Sequence, residues 1–145
     1  MTTYLQTKFD RIPLEILNQG KLELVDELFA PEFVERTPQP ALAPTREGFK
    51  QFVKALRTAF PDIRYTIDDT IEAGDKLVHR VTATGTMRGE FAGMPATGKQ
   101  ATWTEIHISR VANDHIVEHW GLVQELGMMV QLGVIPAPGR VAVAV

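Results

Sequence analysis

The chain has 145 residues, of which 44% are hydrophobic and 23% are charged, a composition typical of one globular domain. Its net charge of −3 argues against a nucleic-acid-binding protein, because such proteins usually carry a basic patch. Cysteine is absent, which excludes disulfides and thiolate nucleophiles, and no apolar run is as long as a membrane-spanning helix. The start shows no secretion signal, so we expect a cytoplasmic protein with neither nucleic acid nor membrane as a partner.

The first half of the chain has the apolar spacing of helices. We predict helices over residues 4–18, 21–29 and 45–60, and Pro13 is expected to break or kink the first of them. Three prolines lie within residues 37–44, which are therefore predicted to form a loop.

The second half alternates apolar and polar residues, which is typical of strands. We predict four strands and one short helix, over residues 63–71, 76–89, 99–111, 115–123 and 124–132. Helices followed by an antiparallel meander predict an α+β domain, and four long strands with one helical layer predict a sheet that curls into a cone. We expect this single domain to cover residues 1–135, followed by a poorly ordered tail over 136–145.

Polar side chains of the predicted strands converge in a way that is unusual for a plain core. Trp103, Glu105 and His107 share one face of the third strand, because alternate residues point to the same side. In a curled sheet, His119 of the fourth strand and Arg80 of the second come near the same pocket. A carboxylate beside a histidine orients the ring and raises its basicity, so this group of residues suits proton transfer.

Simpler structural roles compete with this interpretation. A histidine on a strand often only forms a hydrogen bond or faces solvent. Glu105 and Arg80 also suit ion pairs with neighbouring strands, and Trp103 and Trp120 suit packing. The glycines of the second half do not lie between a strand and a helix, so they do not predict a phosphate loop. The histidines and acids lack metal-ligand spacing, so we predict no metal site.

Several runs of residues resemble those of one known family. They are Asn18-Gln-Gly-Lys-Leu-Glu-Leu-Val-Asp26, Ala59-Phe-Pro-Asp62, Gly74-Asp-Lys-Leu-Val-His-Arg80 and Ile116-Val-Glu-His-Trp120. On these runs the chain resembles the SnoaL-like polyketide cyclase (ester cyclase) family, within the nuclear-transport-factor-2-like superfamily. The resemblance covers residues 5–135, which is nearly the whole chain.

The resemblance implies a conical α+β fold whose N-terminal helices pack on the concave face of the sheet around a deep apolar pocket. It also implies intramolecular ring closure on a polyketide without metal or organic cofactor. His107 matches a histidine that helps to bind substrate in the family. The proton-transferring aspartate of the family falls at Gly121, and a second position where many relatives carry aspartate is Gln124. Glycine has no side chain, and the glutamine side chain does not take up a proton at neutral pH.

The sequence therefore predicts a cofactor-independent cyclase of polyketide-type natural-product biosynthesis, acting on a small apolar substrate by aldol or pericyclic ring closure. The predicted catalytic residues are His107, Glu105 and His119. The predicted substrate-contacting residues are Arg80, Trp103, Gln124, Glu35, Phe52, Phe91, Met94 and Trp120. The alternatives are an isomerase or epoxide hydrolase, which would use a carboxylate of Glu35, Glu105 or Glu118, and a non-catalytic small-molecule-binding protein.

A second copy of the chain is the predicted partner. One helical layer covers only one face of the predicted sheet, and the other face would expose Ile106, Ile108 and Val78. Such a face is too apolar to remain in water over four strands. Burial against a twofold copy is the simplest solution, so we predict a homodimer.

Overall fold

A computed structural model describes residues 1–139 of the chain. Residues 136–139 form neither helix nor strand, and the rest of the predicted tail, residues 140–145, lies outside the described residues. The fold is α+β, with a curved, unclosed sheet and a layer of helices, as the sequence predicts.

The predicted first helix is interrupted near Pro13, as expected. Helix α1 covers Tyr4–Phe9 and begins at a capping box, in which the Thr3 hydroxyl accepts a hydrogen bond from the Gln6 backbone N–H. A six-residue π-helix follows over Ile12–Leu17. Proline has no N–H to donate, so regular α-helical hydrogen bonding stops where Pro13 enters.

The remaining helices follow the predictions closely. Helix α2 covers Glu23–Leu28, α3 covers Arg46–Ala59 and α4 covers Glu125–Gln131. The Thr45 hydroxyl caps α3 by accepting a hydrogen bond from the Gly48 N–H. The apolar stripe of α3 packs toward the sheet.

The four predicted long strands are confirmed, and a fifth strand joins them. Strands β2 to β5 pair antiparallel in chain order, and they cover Arg64–Ala73, Lys76–Thr86, Gln100–Ala112 and His115–Val123. The additional strand β1, over Phe29–Glu35, pairs parallel with β5, so the sheet order is β1-β5-β4-β3-β2. The prediction of an entirely antiparallel sheet is therefore wrong at this edge. Pro31 weakens the local strand signal of β1, but an edge strand tolerates proline.

The helices and the concave face of the sheet enclose the core. Several large apolar side chains from both layers are fully buried there, among them Phe9, Ile16, Leu28, Phe60, Leu77, Val81 and Ile116. The tight turn that joins β4 to β5 at Asn113 and Asp114 has positive φ at both residues, which matches the twist of a two-residue hairpin.

Candidate active site

A cavity opens between the concave face of the sheet and the helices. Its apolar wall includes Ile12, Pro13, Leu17, Phe29, Leu42, Phe49, Phe52, Val81 and Val123. Its polar wall comes mainly from the strands, and it includes Glu35, Tyr65, His79, Glu105, His107, Ser109 and His119. A concave apolar site with a few convergent polar groups suits a small-molecule ligand.

Three of the four histidines of the chain line this cavity. His79 on β3 lies opposite His107 on β4, and His107 lies opposite Gly121 on β5. His119 precedes Gly121 by two residues and therefore points to the same face of the sheet. Neighbouring strands are about 5 Å apart, so imidazole rings at these positions reach one another.

Four side chains form a continuous series of hydrogen bonds along the cavity wall, in the order Glu35, His119, His107, Glu105. We call this series the carboxylate–histidine chain. Glu35 Oε2 lies 2.5 Å from His119 Nδ1, and His119 Nε2 lies 2.9 Å from His107 Nδ1. His107 Nε2 then lies 2.8 Å from Glu105 Oε1. All four ring nitrogens are therefore engaged within the protein.

The number of hydrogen bonds defines how many protons this series holds. Three consecutive hydrogen bonds need three protons, whereas two neutral imidazoles supply only one N–H each. The third proton resides either on the second nitrogen of one ring or on a carboxyl group. Three simultaneous hydrogen bonds along the carboxylate–histidine chain therefore require one proton more than two neutral histidines supply, which together with two carboxylates amounts to a net charge of −1.

Buried donors hold Glu105 at one end of the series. Trp103 Nε1–H donates to Glu105 Oε2 over 2.7 Å, and the Tyr65 hydroxyl donates to the same oxygen over 3.1 Å. Burial, followed by the charge of Glu105, raises the pKa of Tyr65 well above its ordinary value, so the phenol keeps its proton. Glu105 is therefore fixed in position while His107 shares its other oxygen.

Glu35 holds the other end of the series. Its burial favours the neutral carboxyl, but hydrogen bonding to His119 and the charge of that ring outweigh burial, and the pKa of Glu35 is lowered. Thr37 adds two hydrogen bonds to Glu35 Oε1, one from its backbone N–H and one from its hydroxyl. Glu35 is therefore held in position as a hydrogen-bond acceptor for His119.

Gly121 leaves the space that the two rings occupy. A Cβ atom at this position would lie 2.9 Å from His107 Nδ1 and 3.0 Å from His119 Cε1. Those separations are too short for ordinary packing, so a side chain at position 121 requires the rings to move. The His107–His119 contact therefore depends on glycine at position 121.

His79 is a pocket residue that the sequence interpretation missed. Its side chain is 5% exposed, and its Nε2 lies 2.8 Å from Asp10 Oδ1. The sequence does indicate that His79 faces the core. Leu77, Val81 and Ala83 are apolar and lie an even number of residues from His79, so all four side chains point to the same face of β3.

Arg80 lies on the opposite face, which corrects the expectation that it approaches the pocket. It is half exposed, and Nη1 lies 3.8 Å from Asp68 Oδ2. Its partner in the register is Ile106, which also faces away from the core. The same alternation that points His79 inward necessarily points Arg80 outward.

Two of the predicted substrate-contacting residues, Glu35 and Phe52, line the cavity, and the others lie elsewhere. Trp103 is buried behind Glu105 and packs 5.7 Å, centroid to centroid, from Phe60. Trp120 lies opposite Ile108 on the other face of the sheet.

The remaining predicted contacts, Phe91, Met94 and Gln124, are not among the residues that line the cavity. Phe91 and Met94 pair with each other in the loop after β3, and the Phe91 ring packs against Phe52 and Phe60. Gln124 sits at the end of β5, where its side-chain oxygen accepts a hydrogen bond from the Thr104 N–H.

Within residues 1–139, no cluster of histidines and acids has the arrangement of a metal site. The donor atoms of the carboxylate–histidine chain face one another rather than a common point. In the same part of the chain, no helix is both long and apolar enough to cross a membrane.

Comparison with known proteins identifies close relatives. The profile of the SnoaL-like polyketide cyclases matches residues 8–132. The aklanonic acid methyl ester cyclase DnrD of Streptomyces peucetius is 30% identical over 123 residues, which cover 84% of this chain and 74% of that protein.

Solved structures agree in fold over nearly the whole chain. TsrD from Streptomyces laurentii superposes with a TM-score of 0.82 at 27% identity, covering 90% of this chain and 96% of that one. IdmH from Streptomyces antibioticus superposes with a TM-score of 0.77 at 32% identity, covering 90% and 99% respectively.

Proposed function

The chain belongs to the SnoaL-like polyketide cyclase family, and from that membership we propose that it closes a ring in a polyketide-type substrate without metal or organic cofactor. The activity in the name of the Streptomyces peucetius relative supports ring closure as the reaction. The apolar cavity supports a substrate that is folded against hydrophobic walls before it reacts. Holding two reacting carbons in contact contributes up to about 7–11 kcal/mol to such a reaction in ideal cases.

The observation that carries the proposal is the hydrogen-bonded series Glu35–His119–His107–Glu105, whose three contacts require a surplus proton. In an aldol closure, a carbon next to one carbonyl loses a proton and its electron pair forms a bond to a second carbonyl carbon. The oxygen of that second carbonyl then becomes an alkoxide and takes up a proton. The surplus proton shared by His107 and His119 is the source of that proton, with Glu105 and Glu35 orienting the two rings.

The substrate is expected to be neutral at the end that enters the cavity. The cavity wall contains the carboxylates of Glu35 and Glu105, and no lysine or arginine is among its described residues. A free carboxylate on the substrate would be repelled by the net negative charge of the carboxylate–histidine chain, with no lysine or arginine in the cavity wall to pair with it. Esters, ketones and lactones fit this electrostatic environment.

Incubation with a linear precursor tests the proposal. Aklanonic acid methyl ester, which the name of one relative specifies, and related polyketide methyl esters would be supplied to the purified protein. Aldol closure leaves the mass unchanged, so the product is separated by chromatography and identified by its spectrum. We expect a cyclised isomer. Tight binding without conversion would instead support the non-catalytic alternative, and conversion of an epoxide would support the hydrolase.

Pericyclic closure is the second candidate mechanism, and one observation favours it. Every ring nitrogen of His107 and His119 is already hydrogen-bonded within the protein, so neither is free until a bond in the series opens. In a pericyclic reaction, the cavity only folds the substrate and no proton moves. The two mechanisms differ in whether the rate depends on pH.

A further inference from the structure

His79 and Asp10 form a second polar pair at the cavity, separate from the carboxylate–histidine chain. His79 Nε2 lies 2.8 Å from Asp10 Oδ1, and the Thr70 hydroxyl donates to the same oxygen over 3.4 Å. Asp10 lies between α1 and the π-helix, so it reaches the sheet from the helical layer. His79 and Asp10 take no part in the proton donation proposed above.

The second ring nitrogen of His79 opens on the cavity. Within residues 1–139, Nδ1 of His79 has no hydrogen-bond partner, and no fully enclosed polar side-chain atom there lacks one. Nδ1 is therefore accessible. Since the side chain is 5% exposed and lines the cavity, the accessible side of the ring is the cavity side.

Asp10, the partner of His79 Nε2, determines which ring nitrogen carries the proton. An ionised carboxylate only accepts hydrogen bonds, so the proton of the neutral ring resides on Nε2 and points to Asp10. Nδ1 then presents a lone pair to the cavity. An acid that fixes the tautomer of a histidine in this way is the arrangement by which enzymes prepare a general base.

Burial is the main reason that this ring is neutral and able to accept a proton. Burial lowers the pKa of His79, the carboxylate of Asp10 raises it, and positive charge on His107 and His119 lowers it again. Glu105 lies farther along β4, on the same face of the sheet as His107. A neutral His79 beside a series that holds a surplus proton gives one acceptor and one donor in the same cavity.

We propose that His79, oriented by Asp10, is the general base that removes the proton from the nucleophilic carbon during ring closure. His79 Nδ1 takes the proton, and the carbon's electron pair forms the new bond to the second carbonyl carbon. The oxygen of that carbonyl takes its proton from the carboxylate–histidine chain. A proton then returns from His79 to that chain through water, which restores both groups. This inference rests on the proposed cyclase function.

The position of His79 relative to His107 suits a base and a proton donor that act on the same substrate. His79 and His107 are directly opposite each other on adjacent strands, where Cβ atoms lie about 4.5–5.5 Å apart. A substrate that places its acidic C–H at His79 thereby places a nearby carbonyl oxygen near His107.

Exchange of substrate hydrogen with heavy water tests the base directly. In D₂O with the wild-type protein, a carbanion that takes up deuterium from His79 before the ring closes returns to substrate labelled at the nucleophilic carbon, which mass spectrometry of recovered substrate detects above a protein-free control. His79→Gln should lose this exchange and reduce kcat by about 10²–10⁴-fold, the usual contribution of a general base. His107→Ala should keep the exchange while ring closure slows, because the proton donor rather than the acceptor has been removed.

A second variant separates catalysis from folding. Asp10→Ala removes the acceptor that holds the ring proton on Nε2, whereas Asp10→Asn keeps an acceptor oxygen that can take its place. We expect Asp10→Ala to lose the exchange and to lower kcat by at least about 10²-fold with little change in KM, and Asp10→Asn to retain most of both activities. The matched control is His115→Gln, at a half-buried histidine that does not line the cavity and is bonded to the Asn113 carbonyl, and it should leave both rates unchanged.

The outcomes distinguish this inference from the proposed function. If the wild-type protein cyclises its substrate and His79→Gln retains both exchange and rate within threefold, the assignment of the base is overturned and the cyclase function stands. If the wild-type protein cyclises no polyketide ester, the proposed function fails and this inference fails with it.

Discussion

His107 is hydrogen-bonded at both ring nitrogens, and this makes it the clearest residue with which to test proton donation. We expect His107→Ala to reduce turnover by about 10²–10⁴-fold if the carboxylate–histidine chain supplies the proton. The fold should persist, because His107 contributes a partly exposed polar side chain rather than apolar packing. Product formation would be measured across about pH 5 to 9, where an acid or base catalyst gives a pH-dependent rate. A flat profile, with the variant close to the wild-type rate, would support closure by substrate folding alone.

Gly121 allows the opposite test, in which an acid is added. We expect Gly121→Asp to lower both activity and stability, because its Cβ would displace the rings of His107 and His119. Forcing side chains apart in this way costs about 1–3 kcal/mol, which thermal or urea unfolding would detect. Gln124→Asp is the matched control, since Gln124 lies outside the cavity, and it should leave the rate unchanged. Higher activity in Gly121→Asp would contradict the coupling between the glycine and the histidine pair.

At the scale of the elements, Glu35 links an edge strand to the catalytic wall. Glu35 lies on β1, and its carboxylate contacts His119 on β5. Because the pKa of Glu35 in the folded protein is below its ordinary value of 4.5, its charge stabilises the fold above that value. This contribution is lost as the pH falls through the lower pKa of the folded state.

A comparison of Glu35→Gln with the wild type measures this linkage. We expect the variant to have the lower free energy of unfolding at neutral pH, and the difference to shrink as the pH falls below 4.5. Urea denaturation at several pH values provides the measurement. A difference that does not change with pH would show that the charge of Glu35 does not contribute.

Alternation along single strands explains what could be predicted from the sequence. Glu105 and His107 are two residues apart on β4, so their common face was predictable. Strand β1 was not, because its pairing with β5 joins residues far apart in the sequence and its local pattern contains Pro31. The prediction that Arg80 faces the pocket is wrong for β3. Leu77 and Val81 are apolar and lie two residues on either side of His79, so the alternation of the strand indicates that His79 points inward.

Contacts across the sheet explain what could not be predicted. The sequence predicts that His119 and His107 lie near the same pocket. The contact between their ring nitrogens depends on the register of β4 and β5, which the sequence does not predict. The pairing of Asp10 with His79 depends on how the helical layer lies on the sheet. Packing between layers is a tertiary property that periodicity does not contain.

At the scale of the whole molecule, the helices within residues 1–139 leave one face of the sheet uncovered. Ile106 is 46% exposed and Leu122 is 75% exposed on adjacent strands, close to the half-buried Trp120 and Ile108. We expect this face to be buried against a second copy of the chain, because such apolar patches rarely remain in water. Light scattering should give twice the chain mass of 16.1 kDa.

Leu122→Glu tests whether this face forms the dimer. We expect the variant to be monomeric, because a charge would then be buried at the centre of the contact. Gln51→Glu, at an exposed position on helix α3 and therefore away from this face of the sheet, is the matched control and should remain dimeric. A wild-type monomer at micromolar concentration would contradict the prediction.

The surplus proton of the carboxylate–histidine chain also sets a limit on protein engineering. Two carboxylates and a shared positive charge are removed from bulk water, and similarly shaped apolar side chains at such positions often give a more stable protein. Selection for heat resistance alone would therefore favour changes in this cavity, and the most durable variants would be inactive. A screen for a robust catalyst must monitor turnover together with melting temperature.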